Sequence, residues 1–207
     1  MIKGNLIVFS GIDGSGKSTI CRMLYEHYKD IIPCAVVSAF QKRLFTEELR
    51  NLFDKYNILE EYRHSNHIGN LAWLGDLCNT TLTIIKPLLE RGVTVFVDRY
   101  ILCAKVYCVA TTTKPIDYLF PIYDCLPKPD KCIYMCTEPS IAFDRIIKRN
   151  KKTSYYENEK SLALIKETYE KYIKNENYSI YKVNASQSLE MSYNEIVGVL
   201  DELILEK

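Results

Sequence analysis

The sequence predicts an α/β fold in three layers, a five-stranded parallel sheet with helices on both faces. Three observations carry that expectation. Short apolar runs recur five times along the 207 residues. Stretches of helical periodicity separate them, and strands that alternate with helices pair most readily in parallel. A glycine-rich junction also follows the first run directly, joining it to the first helical stretch.

The elements follow in order. Leu6-Ile7-Val8-Phe9 reads as a buried strand, and Lys17 to about Tyr28 as a helix. Ala35-Val36-Val37-Ser38 is the second strand. Leu44 to Tyr56 has helical spacing, with Leu49, Leu52 and Phe53 on one face. A long helical pattern covers about His67 to Arg91, with Gly92 as its C-terminal stop and Pro87 placed to kink or split it. Val93-Thr94-Val95-Phe96-Val97 is the strongest strand, because β-branched residues suit a pleated, buried surface. Pro127-Lys128-Pro129-Asp130 is a turn into a fourth strand, Lys131 to Met135. Ser140 to Arg149 reads as helix, followed by a polar, basic segment from Asn150 to Ser154. A helix from Glu157 to Ile173, a last strand from Ser179 to Val183 and a closing helix from Tyr193 to Glu206 complete the set. No repeat, low-complexity tract or domain linker interrupts it, so residues 1–207 read as a single domain.

Composition narrows the function. Hydrophobic residues make up 47% and charged residues 26%, an ordinary globular balance. The 27 basic and 26 acidic side chains leave a net charge of +1, which gives no global attraction to a nucleic acid polymer or a membrane surface. Any charge that binds phosphate must be concentrated locally. No apolar run reaches the roughly 18 residues needed to span a bilayer. Met1 to Asn5 lead straight into a strand without the features of a signal peptide, and the expectation is a cytoplasmic protein. The eight cysteines contain no C-x-x-C spacing and read as reduced, mostly buried thiols. His64 and His67 form an H-x-x-H with no partner ligand at a recognisable spacing, so it does not read as a metal site.

The chemistry is concentrated at the first strand–helix junction. Gly11-Ile12-Asp13-Gly14-Ser15-Gly16-Lys17-Ser18-Thr19 fits G-x-x-x-x-G-K-[ST], with a strand before it and a helix after it. Glycines at 11, 14 and 16 let backbone N–H groups wrap phosphates, and the helix adds the positive end of its dipole. Lys17 is placed to reach the β- and γ-phosphates of a nucleoside triphosphate, and the Ser18 hydroxyl to ligate Mg2+. Ser15 and Thr19 complete the cradle. The fold expectation therefore sharpens to the three-layer P-loop NTPase type. Asp98 ends the strongest strand, and ligands of open parallel sheets bind beyond the carboxyl ends of strands. A carboxylate there suits Mg2+ or its bound water, and Arg99 beside it offers a guanidinium to a second phosphate.

With these motifs in order, the chain resembles the thymidylate kinase family. Phe9 to Thr19 is similar to that family's phosphate loop, including the acid at Asp13, and Asp98-Arg99-Tyr100 to its Asp-Arg-Tyr/Phe motif. Phe40-Gln41-Lys42-Arg43 looks like the segment that ends in an arginine gripping the acceptor phosphate. Pro127 to Asp130 with Ile133-Tyr134 resembles the lead into the fourth strand. Arg145 to Arg149 and Tyr156-Glu157 resemble the borders of a lid, about residues 145–157, and Asn184-Ala185-Ser186 the segment near the adenine.

The resemblance implies ATP as donor, Mg2+ as cofactor, dTMP as the default nucleoside monophosphate acceptor, and a homodimer. It implies that Arg43 and Arg99 hold the acceptor phosphate, and that Asp13 approaches the acceptor sugar or the transfer site. Phe40 and Tyr107 would lie near the acceptor. Arg145 would face ATP, and Arg149 the transferring phosphoryl group. Three positions depart from the family pattern. Counted back from Gly92 without gaps, the arginine that reads the base falls at Cys78, with Asp76 nearby, and the stacking phenylalanine at Leu74, with Trp73 beside it. Before Tyr156-Glu157 the expected lid arginine is Tyr155. Because the phosphate loop carries Ser15 and no arginine, the lid must supply the cation, from Arg145, Arg149, Lys151 and Lys152.

Two alternatives follow. An acid near the base pocket would favour an amino-bearing acceptor, and the enzyme would then phosphorylate another nucleotide or small molecule. A nucleotide-dependent switch is the reading from a different class. A GTPase usually needs N-K-x-D after a strand, whereas Asn150-Lys151-Lys152-Thr153 lacks the acid and follows a helix.

Overall fold

A computed structural model describes residues 3–58, 67–112, 116–149 and 156–205. His64, Asn150 to Thr153 and Tyr155 lie outside the described residues. Five strands form one parallel sheet in the order β2-β3-β1-β4-β5, where β1 is Leu6–Ser10, β2 Cys34–Ser38, β3 Thr94–Asp98, β4 Lys131–Cys136 and β5 Ile180–Asn184. In register, Phe9 pairs with Asp98 and Ser10 with Tyr134. The carboxyl ends of the three central strands therefore come together.

Alternation along the strands divides the core in two. Leu6, Val8, Val95, Val97, Cys132 and Tyr134 join the cluster on one face. Ile7, Phe9, Phe96, Ile133, Met135 and Val183 join the other. Each such buried apolar side chain contributes roughly 1.5–3 kcal/mol. The second face is covered by α1 (Lys17–Tyr28) and by the C-terminal helix (Leu189–Ile204).

α2 (Leu44–Lys55) packs on α3 (His67–Thr80), and the first face is covered by α3, α4 (Lys86–Glu90), α5 (Ile101–Thr111), the short α6 (Phe120–Tyr123), α7 (Pro139–Lys148) and α8 (Glu159–Tyr172). The C-terminal helix is α9. It starts four residues before the predicted Tyr193, because Ser188 caps it by accepting from the Met191 N–H at 3.1 Å.

Two differences from expectation have physical causes. The helix read as continuous from His67 to Arg91 passes through a π-helical turn, Thr81–Ile85, between α3 and α4. Pro87 sits in the first turn of α4, and in a regular α-helix its ring would crowd the carbonyl four residues back. The wider turn removes that clash. Helix α5 was not predicted. Ile101 to Ala104 and Val106 to Cys108 are all buried, so no polar stripe marks the period, and Lys105 pairs with Glu176 at 2.9 Å.

Candidate active site

The loop between β1 and α1 turns on glycines in the left-handed region, Gly14 at φ 80° and Gly16 at φ 93°. At Gly14 a Cβ would lie 2.3 Å from the Ala142 carbonyl oxygen of α7, so no other residue fits the close approach of helix to loop. Lys17 is buried, and its Nζ donates to the Ile12 carbonyl at 2.7 Å and to Ser15 Oγ at 3.2 Å. Burial lowers the pKa of the Lys17 ammonium and the Arg99 charge lowers it further, with Asp98 and Asp13 opposing.

Ser18 Oγ donates to Asp98 Oδ2, which brings the two expected Mg2+ ligands into contact across 80 residues of sequence. The other carboxylate oxygen, Asp98 Oδ1, is buried without a protein partner. A hydroxyl and a carboxylate with one oxygen uncommitted, beside a phosphate loop, fit the oxygen-only preference of Mg2+.

Opposite the loop, Arg99 is one of two described non-glycine residues with positive φ, at 68°. Such a conformation costs on the order of 1 kcal/mol and is concentrated at functional sites. It turns the guanidinium back under the loop. Arg99 Nη2 donates to Asp13 Oδ1, and the Tyr107 hydroxyl donates to Asp13 Oδ2 at 2.7 Å. The guanidinium lies 4.9 Å from the Tyr107 ring centroid, and Arg99 Nη1 is buried without a protein partner. Burial of Asp13 works against its charge. Arg99, Lys17, the Tyr107 hydrogen bond and Arg149 outweigh it and hold the carboxyl below its usual 3.8. The Tyr107 phenol is pushed well up, chiefly by burial.

The ring of Phe40 lies 4.7 Å from that of Trp73, and Trp73 6.4 Å from Tyr107. Through Tyr107 these rings adjoin the Asp13–Arg99 pair. Arg43 is exposed at the N-cap of α2, where its Nε donates to the Phe40 carbonyl at 3.4 Å.

The residues expected around the base lie on α3. Leu74 is 4% exposed and joins the core, and it is Trp73 that makes the aromatic contact. Cys78 packs half-buried against the same core, and burial raises its thiol pKa. Asp76 is fully buried with its oxygens bonded to the start of α2, so it presents no acid to a base.

Beside the loop a cleft of ≈ 370 Å3 is lined by the loop, Arg145, Arg149, Ala185, Gln187 and Leu189. Arg145 donates to the carbonyls of Ala185 at 2.8 Å and Gln187 at 3.2 Å, fixing the β5–α9 loop. Tyr169 of α8 also touches the site. Its hydroxyl donates to the Gly11 carbonyl at 3.3 Å and lies 2.7 Å from Cys103 Sγ. Among the described residues, no group of three His, Cys, Asp or Glu forms a metal cluster, and the eight cysteines are free. No described helix is long and apolar enough to cross a membrane.

Cations thus converge on the mouth of the glycine loop from both sides, with an acid held ionised between them. That distribution serves transfer of one phosphoryl group between two anions, and the fold and site together define a P-loop phosphotransferase. Comparison narrows the class: the sequence model of the family described as thymidylate kinase matches residues 9–196, and the chain belongs to that family. It is 30% identical to a thymidylate kinase of Buchnera aphidicola, over 92% of this chain and 91% of that protein. It is 29% identical to a probable thymidylate kinase of Thermococcus onnurineus, over 97% and 99%. It is 22% identical to a thymidylate kinase of Danio rerio, over 98% and 92%.

Proposed function

We propose that this protein uses ATP and Mg2+ to phosphorylate dTMP, giving dTDP and ADP. The observation that carries the reading is the Asp13–Arg99–Tyr107 cluster, set beneath the phosphate loop with one guanidinium nitrogen uncommitted. The names of the relatives supply dTMP as the acceptor.

Lys17 and the loop N–H groups bind the donor phosphates. Ser18 and Asp98 would hold Mg2+, which when bound neutralises charge on the β- and γ-phosphates. Arg43 and Arg99 bind the acceptor phosphate and offset its repulsion from the donor. An acceptor oxygen then forms a bond to the γ-phosphorus as the bond to the β-phosphate oxygen breaks. The acceptor is already an anion, so no general base is needed. Phe40, Trp73 and Tyr107 offer an apolar wall to the base. Arg145 fixes the loop beside the donor base, and Arg149 stands where cationic charge reaches the transferring group. The basic segment about 145–157 acts as a lid within one kinase domain, excluding water and so suppressing plain hydrolysis.

A cytoplasmic location is part of this reading. A homodimer is supported by Leu44, Leu52, Ile68, Leu71 and Leu82, which leave large apolar surfaces exposed along α2, α3 and the π-helical turn. The bonds of Asp76 to α2 weigh against the other-acceptor reading, in which that acid would face the base.

The test is a coupled ADP assay with Mg2+, with and without dTMP, beside dUMP, dCMP, dAMP and dGMP. Turnover that depends on dTMP and disappears in Lys17→Ala is the expected result. ATP binding with turnover only on another acceptor would overturn the dTMP assignment.

A further inference from the structure

Asp76 belongs to α3, yet its carboxylate serves α2. Oδ1 accepts from the Phe45 N–H at 2.9 Å, and Oδ2 accepts from the Thr46 N–H at 3.1 Å and from the Thr46 hydroxyl. Phe45 and Thr46 are the second and third residues of α2, whose N–H groups an N-cap side chain normally satisfies. The N-cap residue here is Arg43, which makes no side-chain cap bond. It could not make one, because a guanidinium offers donors only. Asp76 supplies the cap from the neighbouring helix and sets a carboxylate at the positive end of the α2 dipole.

We propose that Asp76 is a positioning residue for Arg43. By capping α2 from outside, it releases the N-cap position to a cation that cannot cap, and it fixes the backbone from which that cation reaches out. Two further contacts point the same way. A Cβ at Gly75 would lie 2.9 Å from the Phe45 ring, so the first turn of α2 rests directly on α3. Phe40, three residues ahead of Arg43, packs on Trp73 of the same helix. Residues 40–46 are thus pinned to α3 at both ends. The rest of α2 offers little hold, since Phe53 is its one buried residue. The inference rests on the reading of Arg43 as a ligand of the acceptor phosphate.

The experiment compares wild type, Asp76→Ala, Asp76→Asn, Arg43→Ala and the Arg43→Ala/Asp76→Ala double variant by steady-state kinetics and amide hydrogen exchange. Asp76→Ala should raise the dTMP KM about tenfold and leave the ATP KM within about twofold, because two N–H groups at the start of α2 lose their acceptor far from the donor site. Asp76→Asn keeps one acceptor oxygen and should fall between. In the Arg43→Ala background, Asp76→Ala should add little further loss. Exchange at Phe45 and Thr46 should quicken while the sheet stays protected. Full additivity of the two substitutions, or an equal rise in the ATP KM, would overturn the proposal. If Asp76→Ala does not fold, Asp76→Asn and Thr46→Val carry the same comparison. A wild-type enzyme without dTMP turnover would sink the functional reading alone. Exchange would then decide the positioning claim, and unchanged rates at Phe45 and Thr46 would end it.

Discussion

Asp13 is surrounded by positive charge from the elements that meet at the loop. Arg99 reaches it from the end of β3, Lys17 from the start of α1 and Arg149 from the end of α7. The Tyr107 hydroxyl donates to it from α5. Its folded pKa lies below 3.8, so the stability it contributes is fully present above that value and is lost as pH falls through the lowered one. Denaturant titrations of wild type and Asp13→Asn should therefore differ by a constant margin from about pH 8 down to about pH 5, with the margin narrowing below about pH 4. A margin that stayed constant to about pH 2 would mean the charge on Asp13 adds nothing to folding. The motif made Asp13, Lys17 and Ser18 legible, because a phosphate loop is a local backbone device. The left-handed turn at Arg99 was not, since arginine carries no intrinsic preference for it and the strand ladder imposes it.

Helix α7 holds two arginines one turn apart in different employments. Arg145 is tied to two carbonyls of the β5–α9 loop, whereas Arg149 is exposed at the helix end within electrostatic reach of Asp13. Arg145→Ala should raise the ATP KM severalfold with kcat little changed. Arg149→Ala should lower kcat on the order of 100-fold, as loss of a transition-state donor does, with both KM values nearly intact. Initial-rate grids in both substrates separate the two, and identical profiles would show that the arginines act as one group. Elements with a polar stripe or a β-branched run were legible at this scale. α5 was not, because burial on all sides erases the helical period. The π-helical turn was foreshadowed only by Pro87, and the ring contact of Trp73 with Phe40 was set by helix rotation.

For the whole molecule, the apolar surface left on α2 and α3 is the feature that the fold alone does not explain. Phe45, Leu52, Ile68 and Leu71, on two helices packed against each other, are each 45–57% exposed. Sedimentation velocity should give a dimer at micromolar concentration, and Leu71→Glu should shift it toward monomer. A wild-type monomer at those concentrations would remove the homodimer and leave that surface for another occupant. Because α2 also carries Arg43 at its start, disruption of the interface should raise the dTMP KM before it affects ATP binding.

The sequence by itself determined the layered parallel sheet, the order of its elements and the phosphate loop. Each rests on periodicity or on a contiguous motif, and neighbouring residues record both. Only the tertiary structure decided which side chains meet beyond that loop. Trp73 against Phe40, the capping of α2 by Asp76 and the convergence of Arg99, Tyr107 and Asp13 join residues 30 to 94 positions apart. Such contacts follow from helix rotation and strand register, and a single sequence records neither.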